Sequence, residues 1–326
     1  MNKKILIFGI IILFLAGSYL IVNGNIFVSS GNQRDDYGFV YETEVDGPHE
    51  CSSYEEYDKE KSVCYFECDN DEECKELEDS VNSELDSWLD ESSSVSKNSE
   101  DEIENTQPVV SYRVSKNETL ILKEGEDMKV YKDIWSDIAE LSPNTISNKY
   151  IDSFEIFDSK NSDSIAFVDD VDENGKWRVA VNIAVYNDIS LKEQKSTLIH
   201  ELGHIISLNS QQIIPMKKCD WYEIDEGCAT KTSYIGVFWG MFWKDQDNKN
   251  YSSKKFVTEY AASDPMEDWA ETFAAFVLGN GNEALSTSIK DQKVALLYKY
   301  PELLNIRQSM RIELSRDIVR MRKLSK

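Results

Sequence analysis

The chain reads as an α+β protein, and three observations carry that reading. Runs with apolar or β-branched residues at alternate positions recur at 109–114, 154–157, 165–168 and, most clearly, in WRVAVNIAVY at 177–186. Two long helical patterns at 190–208 and 264–279 follow them instead of alternating with them, as expected of α+β architecture. Across 326 residues the hydrophobic fraction is 41% and the aromatic fraction 11%, enough for a real core, so wholesale disorder is excluded.

From the N-terminus, Lys3 and Lys4 precede residues 5–22, eighteen positions without a charge. As a helix at 1.5 Å per residue these would span ~27 Å, close to the bilayer core. The only small-residue exit, Ala16-Gly17-Ser18, is a poor cleavage site, so residues 1–22 read as a signal anchor in preference to a cleaved signal peptide. The lysines hold the short end in the cytoplasm and place the rest outside. The expected location is therefore the cell membrane, single-pass, with the C-terminal domain outside; cleavage would make the protein secreted.

Residues 23–106 read as an acidic, cystine-rich module and linker. Residues 34–106 hold 26 Asp or Glu against 5 Lys or Arg, a net −21 of the chain's −25. That charge opposes binding to a polyanion, so no nucleic-acid partner is expected. Cys51, Cys64, Cys68 and Cys74 suit two disulfides in an oxidising compartment, with the pairing open. Their spacings lack the paired C-x-x-C knuckles of a four-thiolate zinc site. Leu77, Val81, Leu85 and Trp88 recur at helix spacing, and the Ser- and Glu-rich stretch after residue 91 reads as linker.

The second domain is expected at 107–326. After the strand at 109–114, an amphipathic helix is expected at 128–141, stopping before Pro143. Ser190 and Glu193 form a capping box that opens a helix to about Leu208, apolar on more than one side and hence central. Asp264-Pro265 opens another, with Met266, Trp269, Ala270, Phe273 and Val277 as its core face and Gly279 as its stop. Cys219 and Cys228 would close a small loop between the two. The hydrophobic run YIGVFWGMFW at 234–243 is too short to span a bilayer and reads first as core; a cleft wall or a membrane-facing surface is the sharper alternative.

The first of these helices carries His200-Glu201-Leu202-Gly203-His204, H-E-x-x-H. Residues four apart lie one above the other, so both imidazoles converge on one ion while Glu201 is carried to the side where a water would sit. Two of the chain's three histidines lie in this pattern, which favours zinc (Zn2+) over two ordinary core histidines. A catalytic zinc takes three protein ligands and leaves a position for water. Ser207 and Ser210 stand where the long metzincin motif needs Gly and His, and His49 lies in the distant module, so a carboxylate should complete the site. Glu267 and Glu271, at i and i+4, offer one ligand and one partner to orient a histidine; the plainer reading makes Glu267 a capping-box partner of Asp264, Glu271 a surface carboxylate and Tyr260 a loop tyrosine. Glu226 is the rival ligand.

HELGH followed by Y-x6-E-x3-E resembles the gluzincin metallopeptidases of the anthrax lethal factor-like group, which includes the secreted Pro-Pro endopeptidases. The resemblance covers roughly residues 190–280 and implies a zincin-like domain, with a mixed sheet, an active-site helix and a C-terminal helical lobe. It implies His200, His204 and Glu267 as zinc ligands, Glu201 as general base, Tyr260 as donor to the oxyanion and Glu271 behind a ligand histidine. Asp225-Glu226-Gly227-Cys228-Ala229 is similar instead to the E-G-x-A segment of aminopeptidase-type gluzincins, twenty-two residues after His204. The strand at 177–186 resembles the edge strand on which zincins align an extended substrate. The expected function is thus an extracytoplasmic zinc-dependent endopeptidase acting on a peptide or protein substrate, membrane-bound through residues 5–22. The alternatives are a surface binding or adhesion protein with a structural zinc, and a zinc aminopeptidase using Glu226.

Overall fold

The computed structural model describes residues 42–44, 56–59, 63–65, 71–91, 107–162, 164–172, 175–215, 218–245, 251–281 and 287–324. The apolar segment 5–22, His49, the linker after residue 91 and the side chains of Cys51, Cys64, Cys68 and Cys74 lie outside the described set. Among the described residues no helix is long and apolar enough to cross a membrane.

Strands β1 (Glu42–Glu44), β2 (Glu56–Asp58) and β3 (Val63–Tyr65) form a small antiparallel sheet in the order β1-β3-β2. Helix α1 (Asp71–Glu91) follows, and its predicted apolar positions Val81, Leu85 and Trp88 are buried in the same core as the C-terminal helices.

The main sheet has five strands. β4 (Val110–Val114) and β5 (Leu120–Gly125) make a hairpin; α2 (Lys129–Leu141) and α3 (Asn144–Tyr150) lead to β6 (Ile151–Phe157), β7 (Ala166–Asp172) and β8 (Lys176–Asn182). The order is β5-β4-β6-β8-β7, antiparallel except for the β6–β8 pair, so the sheet is mixed and the class is α+β. Strand side chains alternate between faces. Tyr112, Phe154, Ile156, Val179 and Val181 occupy one face and are buried in the main core. The other face is largely polar: Arg178 pairs with Glu155 at 2.9 Å and also with Asp169, and Ser111 donates to Glu155 at 3.0 Å.

The strand placed at 177–186 ends at Asn182, whose side chain accepts from Ala184 N and starts the one-turn helix α4 (Ile183–Tyr186). It is also not an edge: β8 pairs with β6 on one side and β7 on the other, and β7 is the edge strand at that end of the sheet. Alternation within one strand records which side chains are inside; it holds no record of how many neighbours its backbone has.

Helix α5 (Leu191–Leu208) packs against β7 and is followed by a three-stranded sheet of β9 (Ile213–Ile214), β10 (Tyr222–Ile224) and β11 (Gly227–Ala229), in the order β10-β11-β9. Then come α6 (Tyr234–Phe242), a 3₁₀ turn (Tyr260–Ala262), α7 (Pro265–Leu278), α8 (Ile289–Leu297) and α9 (Pro301–Leu324). The hydrophobic run at 234–243 is α6, with Tyr234, Ile235, Phe238 and Phe242 buried, while Met241 stays half exposed. Cys219 and Cys228 form the expected disulfide, with Cα atoms 5.3 Å apart, and brace the β10–β11 hairpin.

Candidate metal centre

Two helices build the site. At the start of α5 the Glu193 amide donates to Ser190 Oγ (3.3 Å) and the Ser190 amide donates to a Glu193 carboxylate oxygen (2.9 Å), so the capping box is complete. Every residue of α5 from Lys195 to Leu208 is buried, as expected for a helix apolar on several sides. At the start of α7 the Asp264 carboxylate accepts from the amides of Met266 (2.7 Å) and Glu267 (3.1 Å), with Pro265 in the first turn.

The two helices touch closely at Gly203. A Cβ there would lie 3.2 Å from Phe273 Cδ1 and 3.3 Å from the Ala270 Cα, and the Trp269 indole donates to the Gly203 carbonyl at 3.2 Å. The missing side chain lets α7 bring its first two turns against the histidine face of α5.

There, His200, His204 and Glu267 each offer a ligand atom, all within 4.8 Å of one another. His200 Nε2 lies 3.1 Å from His204 Nε2 and 3.1 Å from one Glu267 oxygen; the other Glu267 oxygen lies 3.5 Å from His204 Nε2. Behind His200, a Glu271 oxygen lies 2.8 Å from Nδ1. All four side chains are buried. Glu267 therefore faces the histidines, and Glu271 is no surface carboxylate. Glu201 is buried on the same helix, its carboxylate in electrostatic range of His204. Tyr260 opens the 3₁₀ turn before α7, its ring centroid 6.0 Å from that of His200.

The charge balance is unusual. Burial disfavours the imidazolium of His200, yet Glu267 and Glu271 outweigh it and hold its pKa well above the ordinary value; His204 is raised likewise by Glu267 against the same burial. Burial would raise the Glu267 carboxyl, but His204 and His200 pull it far down. The cluster demands positive charge. A proton drawn to His200 Nδ1 by Glu271 leaves Nε2 as a lone-pair donor toward His204 and Glu267, and one Glu267 oxygen is buried without a hydrogen-bond partner. Two imidazoles and a carboxylate around one point fit a divalent transition metal such as zinc.

Glu226, the rival ligand, sits in the β10–β11 turn with one buried carboxylate oxygen lacking a hydrogen bond; burial pushes its pKa up. It is in electrostatic range of His204 but is not among the three residues whose ligand atoms converge.

The residues that hold α7 carry no signal in the sequence. Asp268, next to Glu267, is wholly buried and accepts from Lys293 Nζ (2.6 Å) and the Trp243 indole (2.8 Å). Arg307 and Arg311 of α9 donate to the last carbonyls of the same helix. No periodic pattern marks such residues, since a single buried charge within a helical stripe looks like an exposed one.

No protein-family model, curated protein or solved structure matches the chain.

Proposed function

We propose that the protein is an extracytoplasmic, membrane-anchored zinc endopeptidase with a zincin-like domain. The observation that carries this reading is the convergence of His200, His204 and Glu267 beside Glu201 in a buried H-E-x-x-H helix.

His200, His204 and Glu267 would hold the ion, and Glu271 would fix the ring of His200. When bound, zinc polarises a carbonyl and acidifies water. Glu201 takes the proton from the attacking water and returns it to the leaving amine. Tyr260 donates a hydrogen bond to the carbonyl oxygen as it gains charge. The edge strand β7 has one side free among the described strands and packs against α5, so an extended peptide can add to the sheet there and run past the centre. The apolar segment at 5–22 supports the membrane assignment by its length and lack of charge.

Glu201→Gln should lower peptide cleavage by roughly 10²- to 10⁴-fold while zinc, measured by mass spectrometry, stays stoichiometric. Cleavage at the wild-type rate would remove Glu201 from its role, and absence of any transition metal in wild-type protein prepared without chelators would remove the reading altogether. The aminopeptidase alternative draws support from the buried, unpaired oxygen of Glu226, and a requirement for a free substrate N-terminus would favour it. Stoichiometric zinc with no hydrolysis across a peptide library would favour the adhesion protein.

A further inference from the structure

We propose that α1 is a clasp for the metal centre: by gripping the far ends of the two ligand-bearing helices it sets their spacing, and so makes the acidic N-terminal part of the chain a determinant of zinc affinity. This rests on the reading of His200, His204 and Glu267 as ligands.

The geometry starts from helix direction. Glu267 of α7 lies against His204 as well as His200, while Glu271, one turn later, lies against His200, one turn earlier on α5. With Lys192 and Asn280 both reaching neighbouring residues of α1, the two helices run antiparallel, and the start of α5 and the end of α7 share one end of the pair. At 1.5 Å per residue, Lys192 lies ~12 Å from His200 along α5, and Gly279 ~18 Å from Glu267 along α7. That remote end is where α1 sits. Val81, Leu85 and Trp88 are buried in the shared core. On the α5 side, Lys192 Nζ donates to the Ser87 carbonyl (2.8 Å). On the α7 side, Asn280 donates to Asp86 (3.3 Å), and the buried guanidinium of Arg311 bridges the two elements. Arg311 donates to the carbonyls of Val277 (2.7 Å), Leu278 (2.9 Å) and Gly279 (3.1 Å), which α7 leaves without partners in its last turn, and to Asn82 Oδ1 of α1 (2.6 Å). Arg307 completes this cap on the Phe276 (2.6 Å) and Gly279 (2.7 Å) carbonyls.

Asn82 thus orients the arginine that fixes the end of the helix carrying Glu267 and Glu271. A rigid helix transmits a shift at one end to the other, and the ligand atoms of a metal centre tolerate only a few tenths of an ångström. Asn82 and Arg311 are positioning residues; neither touches the centre.

The test uses the full chain with Asn82→Ala, Asn82→Asp and, as a control of comparable stability loss remote from the clasp, Val110→Ala. Zinc affinity is measured by chelator competition well below the unfolding temperature, and hydrogen exchange of α5 and α7 amides is followed in the metal-free proteins. Asn82→Ala should weaken zinc by roughly 3- to 10-fold and speed exchange at the end of α7, while Val110→Ala leaves both unchanged. Asn82→Asp, which exchanges the amide for an ion pair with Arg311, should keep wild-type affinity. Unchanged zinc affinity in Asn82→Ala, or equal weakening in Val110→Ala, overturns the clasp. Should the wild-type chain take up no zinc, the ligand assignment fails by itself, and the exchange pattern still decides whether α1 restrains α7.

Discussion

Two kinds of buried carboxylate lie within one helix turn of each other on α7, and they are neutralised in opposite ways. Asp268 has its own cation: Lys293 reaches it at 2.6 Å, both side chains essentially without exposure, and the Lys293 ammonium also lies 3.9 Å over the Phe256 ring. Lys195 does the same for Asp137 (2.9 Å) and Asp317 (2.8 Å). Glu267 and Glu271 face imidazoles instead, which carry a charge only when they take up a proton, and the two ring nitrogens crowd to 3.1 Å. Where the fold alone matters, the chain supplies a permanent charge. At the cluster it supplies groups whose neutralising charge must be taken up from solution, as a proton or as a metal ion.

The sharpest break of this contrast is to remove one cation of each kind. Lys293→Met should cost about 3–5 kcal/mol of unfolding free energy in a denaturant titration, because the Asp268 carboxyl, which burial already raises to about 6, loses its partner and must stay buried either as an unpaired charge or as an acid that has taken up a proton, and Asp268→Leu added to it should restore much of the loss. Glu267→Gln in metal-free protein should cost far less, since a histidine losing its partner can shed its proton. An equal loss would mean the centre is an ordinary ion-pair network.

Next in size, zinc at 100 times its Kd should stabilise the wild-type protein by about 2.7 kcal/mol, read as a rise in Tm that EDTA reverses. Glu267→Gln should abolish that rise. Glu271→Gln should preserve binding but weaken it by roughly 10- to 100-fold, because the ring of His200 loses its orienting carboxylate.

The smallest effect concerns a carboxylate of a third kind. Burial pushes the Glu313 carboxyl up to about 7; Arg316 opposes this, and Glu140 and Asp317 add to it. The protonated form is favoured in the folded state, so this contribution to stability is present at low pH and is lost as pH rises from the ordinary carboxylate range through about 7. Glu313→Gln should therefore flatten the decline between pH 5 and 8, by about 1–2 kcal/mol, in thermal melts across that range.

Much of this was legible in the sequence. The Ser190–Glu193 capping box, the Asp264-Pro265 start and the Gly279 stop are local chemistry, and each stands where it was expected. H-E-x-x-H is likewise local, because four residues return a helix to the same side. The contacts between Glu267, Glu271 and His200 were open, since i and i+4 spacing gives a shared face without saying what it meets. Strand β5, LILKEG, lacks clean alternation because its side chains are mostly exposed, so nothing in the sequence marks it as a strand. Nor could acidic composition show that Val81, Leu85 and Trp88 join a core whose other members begin at Val110, because that depends on which surfaces the rest of the chain leaves uncovered. Lysine partners such as Lys293 and Lys195 were invisible for the same reason: the residue type is the commonest on surfaces, and only packing makes it internal.

Gly203 has a consequence for tolerance to change. The gap between α5 and α7 is fixed by an absent methyl group, so alanine there, normally favoured by about 1 kcal/mol in a helix interior, must push against Phe273 and the Ala270 backbone. The fourth letter of HELGH is therefore constrained by volume: a methyl group fits only where Phe273 or the Ala270 backbone gives by a few tenths of an ångström. A larger residue there would part α5 from α7, and with them His200 from Glu267.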